Sequence, residues 1–295
     1  MKQLLAAAAV ASLTATGAMA ETKILHEGAL FPEGALFHEG AHFFVELVAD
    51  RVVKLDGGNH VVFWDGNGCA PASVIDHDGG FVVACNGGSA IVRLDADGNE
   101  LWRKGRDDSG VNMNQPNDLT HGGNGDLWFT ASGAPDPAQQ PQGQVFHMTA
   151  GGDVTLAAEG LSYANGLAVV PNGNTLLVAD MFTSRILAYP IEGSSLGEPK
   201  VWADLASIAP NGDGALPPFP DGMEFGPDGN LYIAIWGGKK IVVLDAAGEV
   251  AKEIPTPLLG TTNLTFIDPE TLLVTGVHDI SGAPFAGDVI EMKLN

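Results

Sequence analysis

Five acidic or amide residues recur at one position of a repeated frame, and their types suit one chemistry. Asp221 lies ten residues before Leu231, the first apolar residue after the Pro227-Asp228-Gly229 turn. The same count back from Phe43 and Leu127 reaches Glu33 and Asn117. One inserted residue leads from Leu176 to Asn165, one residue fewer leads from Leu272 to Asn263, and Phe81 leads to Pro71. If the frames pack around one axis, these heads make a ring of two carboxylates and three amide oxygens. A hard cation such as Ca²⁺ takes such an all-oxygen shell, completing roughly six to eight ligands with backbone carbonyls and water. Asn and Asp also start strands after turns for reasons of turn chemistry alone. Recurrence at five of six equivalent positions favours the common site. Glu27-Gly28-Ala29-Leu30-Phe31 nearly duplicates Glu33-Gly34-Ala35-Leu36-Phe37, and the spacing to Phe43 selects Glu33.

The elements that must position these heads are β-hairpins. Strands starting at Phe43, Phe81, Leu127, Leu176, Leu231 and Leu272 recur every 38 to 55 residues, each behind a turn rich in Gly, Asp, Asn or Pro. A third strand follows every hairpin, and a fourth is visible in five of the six. No stretch reads as a convincing amphipathic helix. This pattern predicts an all-β, six-bladed β-propeller of four-stranded blades, whose first strands line the channel. The sixth unit ends after three strands, so the segment around Thr22 to Leu30 is expected to supply its outer strand and close the ring. Inserts near 107–114, 132–143 and 206–219 read as loops in which substrate specificity would reside.

Residues 1–20 read as a secretory signal: Lys2, an apolar run from Leu4 to Leu13, and Ala18-Met19-Ala20 before Glu21. Residues 21–295 then form the propeller domain, exported to the periplasm or secreted. The 295-residue chain carries 36 acidic against 14 basic side chains, a net charge of −22. Such a surface disfavours nucleic acid and anionic membranes. The two cysteines, Cys69 and Cys85, flank one hairpin; folding it about Asp78-Gly79 leaves their pairing open.

Glu33-Gly34-Ala35-Leu36-Phe37, Pro116-Asn117-Asp118, Asn165-Gly166-Leu167-Ala168, Pro220-Asp221-Gly222-Met223, Ile235-Trp236-Gly237-Gly238 and Pro284-Phe285-Ala286-Gly287-Asp288-Val289 together resemble the senescence-marker-protein/gluconolactonase/regucalcin family over nearly the whole mature chain. The resemblance implies a six-bladed propeller with one axial divalent metal that hydrolyses sugar lactones. It implies Glu33, Asn165 and Asp221 as metal ligands, Asn117 against substrate or a metal-associated water, and Asn263 as a further metal or channel residue. Asp221 would double as general base. Ca²⁺ is the first choice, with Zn²⁺, Mg²⁺ or Mn²⁺ as alternatives. The partner implied is a small lactone or ester, with no nucleic acid or membrane, and the protein is expected to be a monomer. The chain departs from the family pattern at Ala35 (often Pro), at Pro71-Ala72 (often Asn), and at Gln115-Pro116, where an Arg is common; the last departure weakens a phosphorylated or acidic sugar as substrate. Hydrolysis of other esters or organophosphates, or a non-catalytic ligand-binding propeller with a structural metal, are the alternative functions.

Other motifs carry less. His38-Glu39-Gly40-Ala41-His42 matches a zinc-protease pattern that requires a helix, but it occupies the first hairpin turn. Asp118 reads as a supporting or turn residue, and His121 and His278 as structural. Neither a Gly-x-Ser-x-Gly elbow nor a phosphate-cradling loop is present, which disfavours a serine esterase or nucleotide enzyme.

Overall fold

A computed structural model describes residues 20–212 and 215–294. The expected secretory signal lies outside them except for Ala20. The described chain forms six antiparallel sheets in sequence order, each with four strands in its meander; the fourth adds a two-residue strand, Ser195–Leu196. The inner strands are Pro32–His38, Pro71–His77, Pro116–His121, Ala164–Val169, Phe219–Phe225 and Gly260–Asp268. Neighbouring inner strands contact each other around the ring, the sixth against the first. The architecture is the all-β six-bladed propeller read from the turn and strand spacing. Among the described residues its helical content is two single 3₁₀ turns and the four-residue helix Leu205–Ile208.

Local chemistry explains the blades. Glu39-Gly40 and Asp78-Gly79 both hold positive φ (50°, 80° and 41°, 70°), as tight two-residue hairpins require. Second strands such as Gly80–Cys85 and Leu127–Ala131 are buried at every position, because they pack between blades on both faces. Outer strands such as Asn59–Asp65 and Glu100–Lys104 are mostly exposed, and they carry the polar residues. The core therefore lies between blades: Phe43, Val45 and Val52 of the first blade pack on Val74, Phe81 and Val83 of the second.

The ring closes as the chain order predicted. Glu21–Leu30 pairs antiparallel with Ala286–Lys293, the third strand of the sixth blade. Phe31 N donates to Phe285 O at 3.0 Å, and the Thr262 hydroxyl donates to Pro32 O at 2.7 Å, which ties the first blade to the last. Cys69 and Cys85 form a disulfide with Cα atoms 4.6 Å apart. Pro71 faces Cys85 in the ladder, and Ala70 at φ 42° turns the preceding residues back beside Asn86 to Gly88. That left-handed residue brings Cys69 within reach. His38 and His42 lie on opposite sides of their hairpin turn with different partners, Asp76 at 3.8 Å and Glu291 at 3.5 Å.

Candidate active site on the propeller axis

Every inner strand breaks its ladder where a head residue stands. Between Pro116 and Leu119, Ala164 and Leu167, and Pro220 and Met223, two residues oppose one on the neighbouring strand. Asn117, Asn165 and Asp221 are each the first residue of such a bulge. A bulge re-aims side chains and twists the strand locally. Here it turns one side chain per blade toward the axis. In the first blade Glu33 is the last paired residue before the shift. The backbones meet tightly at this level. A Cβ on Gly166 would overlap the Asp221 carbonyl oxygen, so the fourth and fifth inner strands can approach only with glycine there.

Glu33, Asn117, Asn165 and Asp221 line one cavity of about 470 Å³. Asn263 does not. It borders a second cavity of about 310 Å³, farther along the inner strands, with Asp118, His121 and Glu224. Its amide nitrogen lies 3.5 Å from Asp118 Oδ1, and Ser73 Oγ donates to the same oxygen at 2.9 Å. In the second blade Ala72, one residue beyond Pro71, reaches the first cavity. Hydroxyls fasten the site from behind: Thr130 Oγ1 donates to Asn165 O at 2.8 Å, and Ser132 Oγ to Ala164 O at 2.7 Å.

The electrostatics are one-sided. Burial raises the Glu33 carboxyl well above the ordinary range, and the charges of Asp221 and Asp118 raise it further. Burial likewise raises Asp221, with Asp118 adding and a hydrogen bond from Asn165 opposing. Asp118 is raised by burial against hydrogen bonds from Ser73 and Asn263. No Lys or Arg stands among the charges acting on these three groups. Buried like charges without a counter-ion are costly. A bound cation or retained protons must offset them, so the donor set fits a hard divalent metal. Among the described residues no three His, Cys, Asp or Glu side chains could hold a metal by themselves. The amide of Asn165 would have to contribute.

Sequence reasoning missed the wall of the cavity. Phe31, Tyr163, Phe182, Trp236 and Phe285 line it. Burial raises the Tyr163 phenol, and the Asp221 and Glu33 charges add to the effect, so it stays protonated. Phe31 and Tyr163 stand two residues before their heads, at φ 55° and 68°. That fixed offset was available in the sequence as a signal. Of the three long inserts, only the second reaches the lining among the described residues, through Pro135.

A closed six-bladed ring with acidic and amide heads converging in one axial cavity defines a propeller of the axial-site class. The chain belongs to the family described as the SMP-30/Gluconolactonase/LRE-like region, whose profile matches residues 31–278. It is 30% identical over 204 residues to the diisopropyl-fluorophosphatase of Loligo vulgaris, covering 65% of this chain and 62% of that enzyme. It is 27% identical over 227 residues to a 6-deoxy-6-sulfogluconolactonase of Pseudomonas putida, covering 74% of each. A gluconolactonase structure from Xanthomonas campestris superposes with a TM-score of 0.76 at 26% identity, covering 94% of this chain and 90% of that one.

Proposed function

We propose that this chain is a divalent-metal-dependent hydrolase that opens sugar or related lactones in the axial cavity. Glu33, Asn165 and Asp221 would hold the cation and Asn117 would contact the substrate. The observation that carries the reading is the pair of buried carboxyls, Glu33 and Asp221, facing one cavity without a cationic neighbour. Relatives named as lactonases support the substrate class. Oxygen-only donors favour Ca²⁺, with Mg²⁺, Mn²⁺ or Zn²⁺ as alternatives. Such a cation supplies charge that polarises an ester carbonyl and acidifies water.

The protein's own groups have distinct tasks. Asp221 accepts the proton released as water adds to the lactone carbonyl, acting as general base, and returns it to the ring oxygen as the ring C–O bond breaks, leaving the open hydroxy acid. The Asn117 amide donates to a substrate oxygen and fixes the ring's orientation. Tyr163, kept protonated, offers a second donor to the same space, and the aromatic wall excludes bulk water. The protein is exported and acts as a monomer, in a compartment where the Cys69–Cys85 bridge persists.

Proton release from a panel of sugar and aliphatic lactones tests this reading. The panel is run with chelated protein and again after return of each cation, with Asp221→Ala alongside. Metal-restored turnover absent from the variant supports it; no turnover on any lactone, with metal still bound, refutes it. Similarity to the diisopropyl-fluorophosphatase of Loligo vulgaris favours a second reading, hydrolysis of an organophosphate at the same residues. An organophosphate added to the panel discriminates the two.

A further inference from the structure

Resting on the lactonase reading, we infer that the site selects lactones bearing an alkyl or aryl substituent over polyhydroxylated or anionic sugar lactones. The cavity has two aromatic walls. Phe31, Phe285 and Trp236 form one, with ring centroids 4.7 Å apart for Phe31–Phe285 and 5.7 Å for Phe31–Trp236. Tyr163 and Phe182 form the other, stacked at 4.8 Å. Leu47, Ile280 and Met181 also line the space.

A sugar ring can lay one face on an aromatic side chain, but its hydroxyls need partners of their own when buried. The polar residues in the lining are Glu33, Asn86, Asn117, Tyr163, Asn165 and Asp221. Four of these are engaged by the cation or the reacting carbonyl, and the Asn86 amide nitrogen donates to Gln115 O at 3.4 Å. Too few partners remain for a polyol. Among the described residues no Lys, Arg or His lines the cavity, so a phosphate or sulfonate substituent would meet no counter-charge.

Backbone conformation supplies an independent argument. Phe31, Tyr163 and Phe285 have φ of 55°, 68° and 52°. Bulky residues are rarely left-handed, and they persist so only where the surrounding structure over-determines them. Three of the five wall aromatics are held this way, which marks the wall as a functional feature of the site.

The test is kcat/KM of the metal-loaded protein for γ-butyrolactone, γ-hexalactone and γ-octalactone beside glucono-δ-lactone. Each buried methylene should raise kcat/KM roughly fourfold, so γ-octalactone, four carbons longer, should exceed γ-butyrolactone by about 250-fold. Ile280→Ser and Phe285→Ala should flatten that slope mainly through KM. A flat series, or glucono-δ-lactone as the best substrate, overturns the inference. A second measurement separates it from the lactonase reading: Trp236 fluorescence, with Trp236→Phe as control, during titration with alkyl-substituted lactams and with gluconolactam. Tighter alkyl-lactam binding without turnover of any lactone would uphold the apolar selectivity and refute hydrolysis. Gluconolactam binding at least as tightly would refute the selectivity whatever the turnover.

Discussion

At the scale of single residues, the role proposed for Asp221 comes at the expense of stability. Its carboxyl is buried beside Glu33 and Asp118 with no cation among their neighbours. Asp221→Asn keeps the shape and removes the charge. In chelated protein it should therefore raise stability by about 1–3 kcal/mol, while turnover in the metal-loaded protein falls on the order of 10²-fold or more. Thermal melts with and without metal read the first effect and steady-state kinetics the second; a variant less stable than wild type in chelator would refute the repulsion. Glu224, in the second cavity, gives a pH signature. Burial raises its carboxyl from 4.5 to about 7, against a hydrogen bond from Thr265. A raised carboxyl holds its proton in the folded state, so the stability it lends is complete below pH 4.5 and is lost as pH rises through about 7. Asp76, lowered chiefly by its hydrogen bond to His121, contributes with the opposite sign, but its window lies below 3.8. The melting temperature of chelated protein should fall between these pH values for Glu224, and Glu224→Gln should reduce the slope. An unchanged slope would place the titration elsewhere.

At the scale of elements, the bulged inner strand decides which side chain faces which cavity. Four blades insert two residues against one, and their heads were readable by counting from the next strand. In the sixth blade Thr261 is the last residue paired before the shift and Asn263 already pairs with Thr275, so Thr262, not Asn263, takes the first place after the break. Alternate strand residues face opposite ways, so Asn263, one place farther along than the other heads, borders the second cavity. A strict count of ten back from Leu272 reaches Thr262, and only shortening it by one residue to reach an amide groups Asn263 with the others. The disulfide was open for a similar reason: the left-handed turn at Ala70 is set by tertiary contacts, since alanine has no preference for it. Gly166 tests the strand contact. Gly166→Ala should cost about 1–3 kcal/mol by overpacking and weaken metal binding, because the added methyl overlaps the Asp221 carbonyl. Gly123→Ala, with nothing within 4 Å, is the neutral control. Equal melting temperatures for the two variants would remove the packing argument.

At the scale of the whole ring, blade number and closure were legible because hairpin turns and buried second strands repeat with the chain. The aromatic wall was legible only in the offset of Phe31 and Tyr163 from their heads, because its five residues come from four separate stretches that only closure brings together. Phe31 follows directly on the closing strand and packs against Trp236 and Phe285, near the other end of the chain. Ring closure and site assembly are therefore one event. Ala29 lies in that strand, fully buried in a cluster with Phe44, Val53, Leu273 and Val289 of the first and last blades. Ala29→Asp places a charge there without a partner, and should cost about 3–5 kcal/mol. The effect on the site should exceed the effect on the blades: the Trp236 environment and lactone turnover are lost at temperatures where far-ultraviolet circular dichroism still reports intact β-structure. Cys69→Ala with Cys85→Ala offers the contrast. Opening that 16-residue span costs about 3 kcal/mol, but it lies within one blade and leaves the seam paired. Its melt should stay coincident by fluorescence and circular dichroism. If Ala29→Asp also melts in one coincident transition, closure and site assembly are not specially coupled, and the wall is held by the blades individually.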